Sequence, residues 1–345
     1  MPQQRIKSFD SLKGLMMFLV VLGHLFLFSY GSKPLPVIVK IFTTFHVPVF
    51  FFVSGTFFGI DKRQTVSGKA LFILKKAIYL IVPSLFFYEL YYYTHNLNPF
   101  AFVTDGFGFY WFLPVLFFSM LIIGTINIVS TLLKINKIEL GGGGAIFTAL
   151  LSAFFSLKGL NIDFKYIGVF QLHHLFSYFP FFVVGYMYRL RRDMVVNTLK
   201  NKTVITFAVI ISALSFVIIQ FSSEILPQYI IGLNYSLKLY SMPLVIMACF
   251  FRYQHCFESE SKVNSFLVLV GRYTLPIYVL HYYFLPDLNW LRCIIGENST
   301  VLVLLILIVI AVAIIGLCVL FTKIISTSDF IGHYLFGQKS NKFKI

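Results

Sequence analysis

The sequence predicts an all-α, polytopic transmembrane bundle of about ten spans, with its N- and C-termini in the cytoplasm. Three observations predict it. The chain has 345 residues, 58% of them hydrophobic and only 12% charged, about half the charged fraction of a soluble domain. Apolar stretches long enough to cross a bilayer recur along its whole length, and mean hydropathy is +0.85. The large majority of its 28 Lys and Arg residues fall on one set of alternate loops, the pattern of the positive-inside rule. The alternating pattern of a lipid-facing β-barrel is absent.

The first span, near 12–30, follows Arg5, Lys7 and Lys13. That basic start resembles a signal peptide, but the apolar stretch is too long and no A-x-A site follows, so the segment reads as a retained span. The second, near 41–60, contains His46, Pro48 and Ser54. Lys62, Arg63, Lys69, Lys75 and Lys76 mark the cytoplasmic approach to the third, near 71–93, whose outer end carries Glu89. The fourth, near 110–131, holds Trp111 and Pro114, and Lys134 and Lys137 follow it on the inside. The fifth, near 143–157, is short. The GGGG run at 141–144 reads as its flexible lead-in, because the Lys-Ser/Thr of a phosphate loop does not follow.

The sixth span, near 168–189, begins close to His173 and His174 and ends in the basic group Arg189, Arg191 and Arg192. The seventh, eighth and ninth lie near 203–221, 237–251 and 265–285, with Arg252, Lys262 and Arg272 on the inner side. The tenth, near 299–323, ends at Lys323. Residues 1–330 thus read as one transmembrane domain, and 331–345 as a basic cytoplasmic tail with Lys339, Lys342 and Lys344.

Several function classes drop out. The net charge of +15 follows from topology, which argues against nucleic-acid binding. Cys249, Cys256, Cys293 and Cys318 form no CxxC pair and no metal-ligand spacing, so neither a disulfide framework nor a metal site is expected. There is no repeat period and no extramembrane domain, so any chemistry belongs within the membrane or at its surfaces.

The histidines carry the chemical signal. His24, His46, His173, His174 and His281 fall inside predicted spans, each ~6–9 Å below the outer boundary. Ionisable groups at such depth face a bundle interior or a wet cavity. Five at one level point to a cavity open to the outside, although helix-packing hydrogen bonds are the ordinary use of any one of them. A neutral imidazole can take a proton from a hydroxyl. Acids at this level are few: Glu89, with Asp105 and Asp163 in nearby loops. Asp10 lies three residues before Lys13, so the two can meet on one helix face.

Pro48, Pro83, Pro114, Pro180, Pro243 and Pro276 are expected to open the backbone inside spans, with Pro48 and Pro276 re-aiming His46 and His281. YELYYYTHN at 88–96 and HYYF at 281–284 fit an interfacial aromatic belt, with sugar stacking as a second use.

Five segments bear a family resemblance. FDSLKGLMMFLVVLGH at 9–24 is similar to the opening of the acyltransferase-3 family, marked by Asp-x-x-(Arg/Lys)-Gly and a following histidine; Asp10, Lys13, Gly14 and His24 stand at those positions. FHVPVFFFVSGTFFG at 45–59 resembles its second-span signature, and FYWFLPVLFF at 109–118 its Trp-Phe-Leu segment. YFPFFVVGYMY at 178–188 and GRYTLPIYVLH at 271–281 resemble later signatures, in the same order. Lys13 stands where many members have Arg; it keeps the charge and loses the bidentate fork. The nearest branch is the fucose O-acetylase-like proteins of surface-polysaccharide clusters. The fused extracytoplasmic hydrolase-like domain of some members is not expected here.

The resemblance implies transfer of an acyl group, usually acetyl, from cytoplasmic acyl-CoA to a hydroxyl of a lipid-linked glycan or surface polysaccharide, in a bacterial cytoplasmic membrane. His24 would be the catalytic base, or would itself carry the acyl group, with Lys13 held by Asp10. His46, His281, Ser54, Trp111 and Glu89 would contact the acceptor. Lys13, Lys75, Lys76 and Arg272 would meet the phosphates of the acyl-CoA donor. No bound cofactor or metal is expected, and the partners are acyl-CoA, glycan and membrane lipid. Two other readings remain open at this point: a flippase for a polysaccharide precursor, and a non-catalytic partner in polysaccharide assembly.

Overall fold

The computed structural model describes residues 6–31, 36–134, 137–158, 168–222, 226–295 and 300–338. Arg5, Asp163, Lys339, Lys342 and Lys344 lie outside them. Every regular element among the described residues is helical. In order these are α1 (Lys7–His24), α2 (Val37–Thr56), α3 (Val66–Thr94), α4 (Phe102–Asp105), α5 (Phe112–Leu133), α6 (Lys137–Lys158), α7 (Leu172–Leu190) and α8 (Arg192–Lys200). They continue as α9 (Lys202–Ser222), α10 (Gln228–Arg252), α11 (Lys262–Arg272), α12 (Thr274–Leu280), α13 (Asn289–Ile295), α14 (Thr300–Ile325) and α15 (Asp329–Tyr334).

The chain is a multi-pass membrane protein. Six segments among the described residues are long and apolar enough to cross a bilayer: Lys7–Ser29, Val37–Lys62, Val66–Thr94, Gly108–Leu133, Gln228–Arg252 and Val301–Ile325. Two bent pairs raise the number to eight: α8 with α9, at 59°, and α11 with the segment Thr274–Phe284, at 72°. The expected spans at 143–157 and 168–189 are helical but fall short of that standard. The apolar part of α6 covers only Gly141–Phe154, and α7 carries two adjacent histidines, three tyrosines and a proline.

Two expectations change. The GGGG run is not a flexible lead-in, because all four glycines lie inside α6. A Cβ added at any of the four would meet only ordinary contacts or open space, so the run continues the helix despite glycine's poor helix propensity. The prolines also divide. Pro48, Pro83, Pro180 and Pro243 sit inside helices. Pro114 and Pro276 fall in the first turns of α5 and α12, where no intrahelical donor is lost.

The chain forms two compact units. One comprises residues 1–47 and 253–344, the other 48–252. In the first, α1 crosses α11 at very short range. A Cβ on Gly14 would overlap the Leu267 carbonyl, and one on Gly271 would overlap the Asp10 carbonyl. Small residues of this kind let backbones approach where no hydrophobic force drives helices together. A polar network locks the rotation of α1. Ser11 Oγ lies 2.5 Å from Asn264 Oδ1 and 3.0 Å from the Phe257 carbonyl. The Asn264 amide donates to the carbonyls of Phe257 (2.9 Å) and Ser259 (2.6 Å), and Gln254 Nε2 donates to Ser8 Oγ (3.0 Å).

Gly271→Val is therefore expected to push α1 off α11. Overpacking of this sort costs about 1–3 kcal/mol, so the purified variant should melt at lower temperature in detergent. Gly316→Val, where a Cβ meets nothing within 4 Å, is the control and should melt as the parent does. An unchanged melting point for Gly271→Val would contradict the crossing.

The second unit uses the same device. A Cβ on Gly55 of α2 would overlap the Phe182 carbonyl, and one on Gly185 of α7 the Phe52 carbonyl. Arg189 forms a forked pair with Asp61, at 2.5 and 3.2 Å. Lys69, counted from sequence among the charges of the cytoplasmic side, is buried. Its ammonium donates to the Asn127 carbonyl at 3.0 Å and to the Thr131 hydroxyl, while the Tyr186 hydroxyl donates to Asn127 Oδ1 at 2.9 Å. Inside a membrane protein a cation needs such partners.

Candidate active site

Helix α1 places its three chemical residues on one face. At 3.6 residues per turn Lys13 and His24 are three turns apart, within about 20° of one line and ~16 Å apart along the axis. Asp10 lies one turn before Lys13, and its Oδ1 meets the Lys13 ammonium at 2.6 Å. Asp10 is buried while Lys13 is partly exposed. The neighbour of Gly271 in the crossing is Arg272, exposed in the last turn of α11.

At the far end of α1 the backbone changes character. His24 closes the α-helix, and Leu25–Ser29 form a π turn, with Tyr30 N donating to the Leu25 carbonyl at 2.8 Å. Such turns insert one extra residue and occur often at functional sites. The end of the turn is tied down by Leu288 N, which donates to the Ser29 carbonyl at 3.0 Å.

The 72° bend at Tyr273 turns α12 away from the direction of α11 and ends it in a 3₁₀ turn, His281–Phe284. That turn brings His281 to His24, 257 residues away in sequence, with Nδ1 of His24 at 2.8 Å from Nε2 of His281. The rings are nearly parallel, at 7°. Tyr282 walls the pair, its ring 4.0 Å from that of His281 and 5.1 Å from that of His24, and Phe28 adds a second wall at 5.4 Å. His281 is fully buried and His46 8% exposed. His24 is half-buried, so it is the most accessible of the three.

Hydrogen-bond partners assign the tautomers. His281 Nδ1 lies 2.9 Å from the Ile277 carbonyl, and His46 Nδ1 lies 2.8 Å from the Phe42 carbonyl. A carbonyl only accepts, so each of these nitrogens carries the proton. With both rings of the pair neutral, His281 Nε2 then holds a lone pair, and His24 Nδ1 must donate to it. The proton order runs from His24 to His281 to the Ile277 carbonyl. It leaves His24 Nε2 bare, with no partner among the described residues. His46 follows one helical turn after Phe42 on α2, and a Cβ on Gly23 of α1 would come 3.3 Å from the Phe42 ring and 3.5 Å from the Thr43 methyl.

The remaining sequence-nominated residues belong to the second unit. Trp111 stacks on His174, with ring centroids 3.9 Å apart at 18°, and lies 5.5 Å from Tyr178 at 19°. His173 adjoins His174 edge-on at 5.5 Å. Ser54 is half-buried on α2, with no hydrogen-bond partner among the described residues. Glu89 is half-buried near the end of α3 and forms no ion pair or hydrogen bond among them. Lys76 and Arg63 both approach the Phe72 ring, each 5.5 Å from its centroid. Lys75 is half-buried beside Lys76.

Sequence reading placed His24, His46 and His281 among its candidates and missed what organises them. The Ile277 and Phe42 carbonyls, the π turn and Tyr282 were not foreseen. Only Tyr282 left a signal, in HYYF, where it read as part of an aromatic belt. Within its own unit His24 leans on a second imidazole. A family model described as an acyltransferase domain matches residues 6–323. No curated protein and no solved structure matches the chain.

Proposed function

Because the chain belongs to the acyltransferase-3 family and is a membrane acyltransferase, we propose that it moves acetyl from cytoplasmic acetyl-CoA to a sugar hydroxyl of a lipid-linked or surface polysaccharide. The reading takes the chain as ten spans in a bacterial cytoplasmic membrane, with both termini inside. The observation that carries it is the bare Nε2 of His24, fixed by His281 behind it.

In this mechanism the acceptor hydroxyl gives its proton to His24 Nε2 while its oxygen attacks the thioester carbonyl. The carbon–sulfur bond breaks, the new ester forms, and the proton on His24 passes to the departing CoA thiolate. In the covalent variant His24 Nε2 attacks the thioester carbonyl and expels the CoA thiolate; the acceptor oxygen then takes the acyl group from Nε2, and its proton ends on the thiolate. His281 has both nitrogens engaged and none left for an oxyanion, which supports a positioning role. His46 keeps one free lone pair and can hold the acceptor hydroxyl in line. The flat Trp111–His174–Tyr178 surface, with Ser54 and Glu89, supplies aromatic and polar groups of the kind that bind sugars. Within the first unit, Lys13 and Arg272 are the cations suited to the donor's phosphates.

The direct test is transfer of labelled acetyl from acetyl-CoA to membrane glycan. Membranes holding the chain should incorporate label, and membranes lacking it should not. Glycan that is exported normally but never acetylated would sink the reading. The Asp10–Lys13 pair adds a second expectation. Lys13→Ala should raise KM for the acyl donor by about tenfold, as expected for losing a charge-assisted contact, and Lys13→Arg should restore most of it. Equal donor KM values in Lys13→Ala and the parent would remove Lys13 from the donor site.

A further inference from the structure

In the first unit, a cleft of ≈ 560 Å³ opens beside the end of α11 and is lined by Leu269, Arg272, Tyr273, Pro276, Lys323 and Phe336. Its outer wall is the turn after α15. Gly337 takes φ +63 there, Gln338 N donates to the Gly332 carbonyl at 2.8 Å, and His333 Nδ1 donates to the Gln338 carbonyl at 2.9 Å. Phe336 is thereby buried at 4% exposure, so the wall is built rather than draped.

Arg272 and Lys323 occupy the last turns of α11 and α14. The helix dipole alone accounts for cations at such positions. It does not account for two of them facing one cleft with no carboxylate in its lining among the described residues. Elsewhere in the same unit Lys13 has its aspartate at 2.6 Å; Arg272 and Lys323 have no hydrogen-bond or ion-pair partner among the described residues. Two unpaired cations over a floor of Leu269, Pro276 and Phe336, with the Tyr273 ring at the side, match an anion attached to an organic body. The volume lies in the range of small-molecule sites and exceeds what a bare phosphate needs.

We propose that this cleft binds a phosphate-bearing organic molecule, its phosphate held by Arg272 and Lys323 and its apolar part against Leu269, Pro276 and Phe336. Two sources share that chemistry: the nucleotide portion of CoA, an arm that rests on the acetyl-CoA reading above, and the headgroup of an anionic phospholipid. Both cations are exposed, so Arg272→Gln and Lys323→Gln should fold, and a melting curve checks this.

The purified chain in phosphatidylcholine nanodiscs would be titrated with labelled CoA and with dephospho-CoA. In parallel, phosphatidylglycerol retained through purification would be quantified. If CoA is the ligand, each substitution weakens CoA binding about tenfold and the double substitution more, as expected for hydrogen bonds to a charged group. If the ligand is lipid, retained phosphatidylglycerol falls by a similar factor and CoA affinity holds. Unchanged affinity for both probes in the double variant overturns the cleft. Acetyl transfer measured alongside separates the two ideas. Transfer that persists while neither probe responds removes the cleft and leaves the enzyme; CoA binding that responds in a chain with no transferase activity removes the enzyme reading and leaves the cleft.

Discussion

Replacing His24 by Ala is expected to abolish acetyl incorporation into membrane glycan while leaving expression and membrane insertion unchanged. His24 is half-buried at the end of α1, and its only side-chain hydrogen bond among the described residues is to His281, so truncation removes a reactive nitrogen without opening the α1–α11 crossing. Losing the general base lowers the rate by about 10²–10⁴-fold; if His24 also carries the acyl group the loss is larger. A chase distinguishes the two. Acetyl-CoA supplied without acceptor labels the protein only if an acyl-histidine forms, and His24→Ala abolishes that label. Acetylation at the parental rate in His24→Ala would remove this residue from the chemistry.

The second large effect is expected at His281. His281→Leu keeps a buried side chain of similar bulk but offers no acceptor to His24 Nδ1. The His24 ring is then free to turn or to change tautomer, so that Nε2 no longer points its lone pair at the acceptor. Misplacement of a reacting group by about 1 Å costs about 10²-fold, and the loss should appear in kcat with little change in KM for acetyl-CoA. His281→Gln is the informative partner. Its amide oxygen can accept from His24 Nδ1 much as Nε2 does, so it should recover a substantial part of the rate. A purely structural role for His281 predicts a different result: Leu and Gln would be equally impaired, or Gln worse, since an amide with its second group unpaired is costly in a buried site. Rescue by Gln, together with the kcat effect, identifies positioning; its absence ends that assignment.

Part of this site was legible in the sequence. The Asp10–Lys13 spacing foretold an ion pair on one helix face, and the two meet. The ordered motifs named the family. Histidines inside apolar spans marked His24, His46 and His281 as unusual, because an imidazole in hydrocarbon must find polar company. What the motifs did not say is which imidazole touches which. Other readings failed for local reasons. GGGG is normally a breaker, yet all four glycines lie inside α6. Nothing in the sequence sets Lys69 apart from Lys75 and Lys76; its burial depends on the Asn127 carbonyl and the Thr131 hydroxyl, both on α5.

By itself the sequence determined that this chain lives in a membrane, that its regular structure is helical, and which family it belongs to. Those properties are written in composition, hydropathy and short spacings, and such information is local. Only the tertiary structure decided the proton order from His24 through His281 to the Ile277 carbonyl, and the facing of Arg272 and Lys323 across one cleft. The first joins side chains 257 residues apart and depends on the π turn after His24, the 72° bend at Tyr273 and the backbone contact at Gly14 and Gly271. A hydrogen bond tolerates errors of only a few tenths of an ångström, and helix packing, not the identity of the residues along one helix, sets distances that fine.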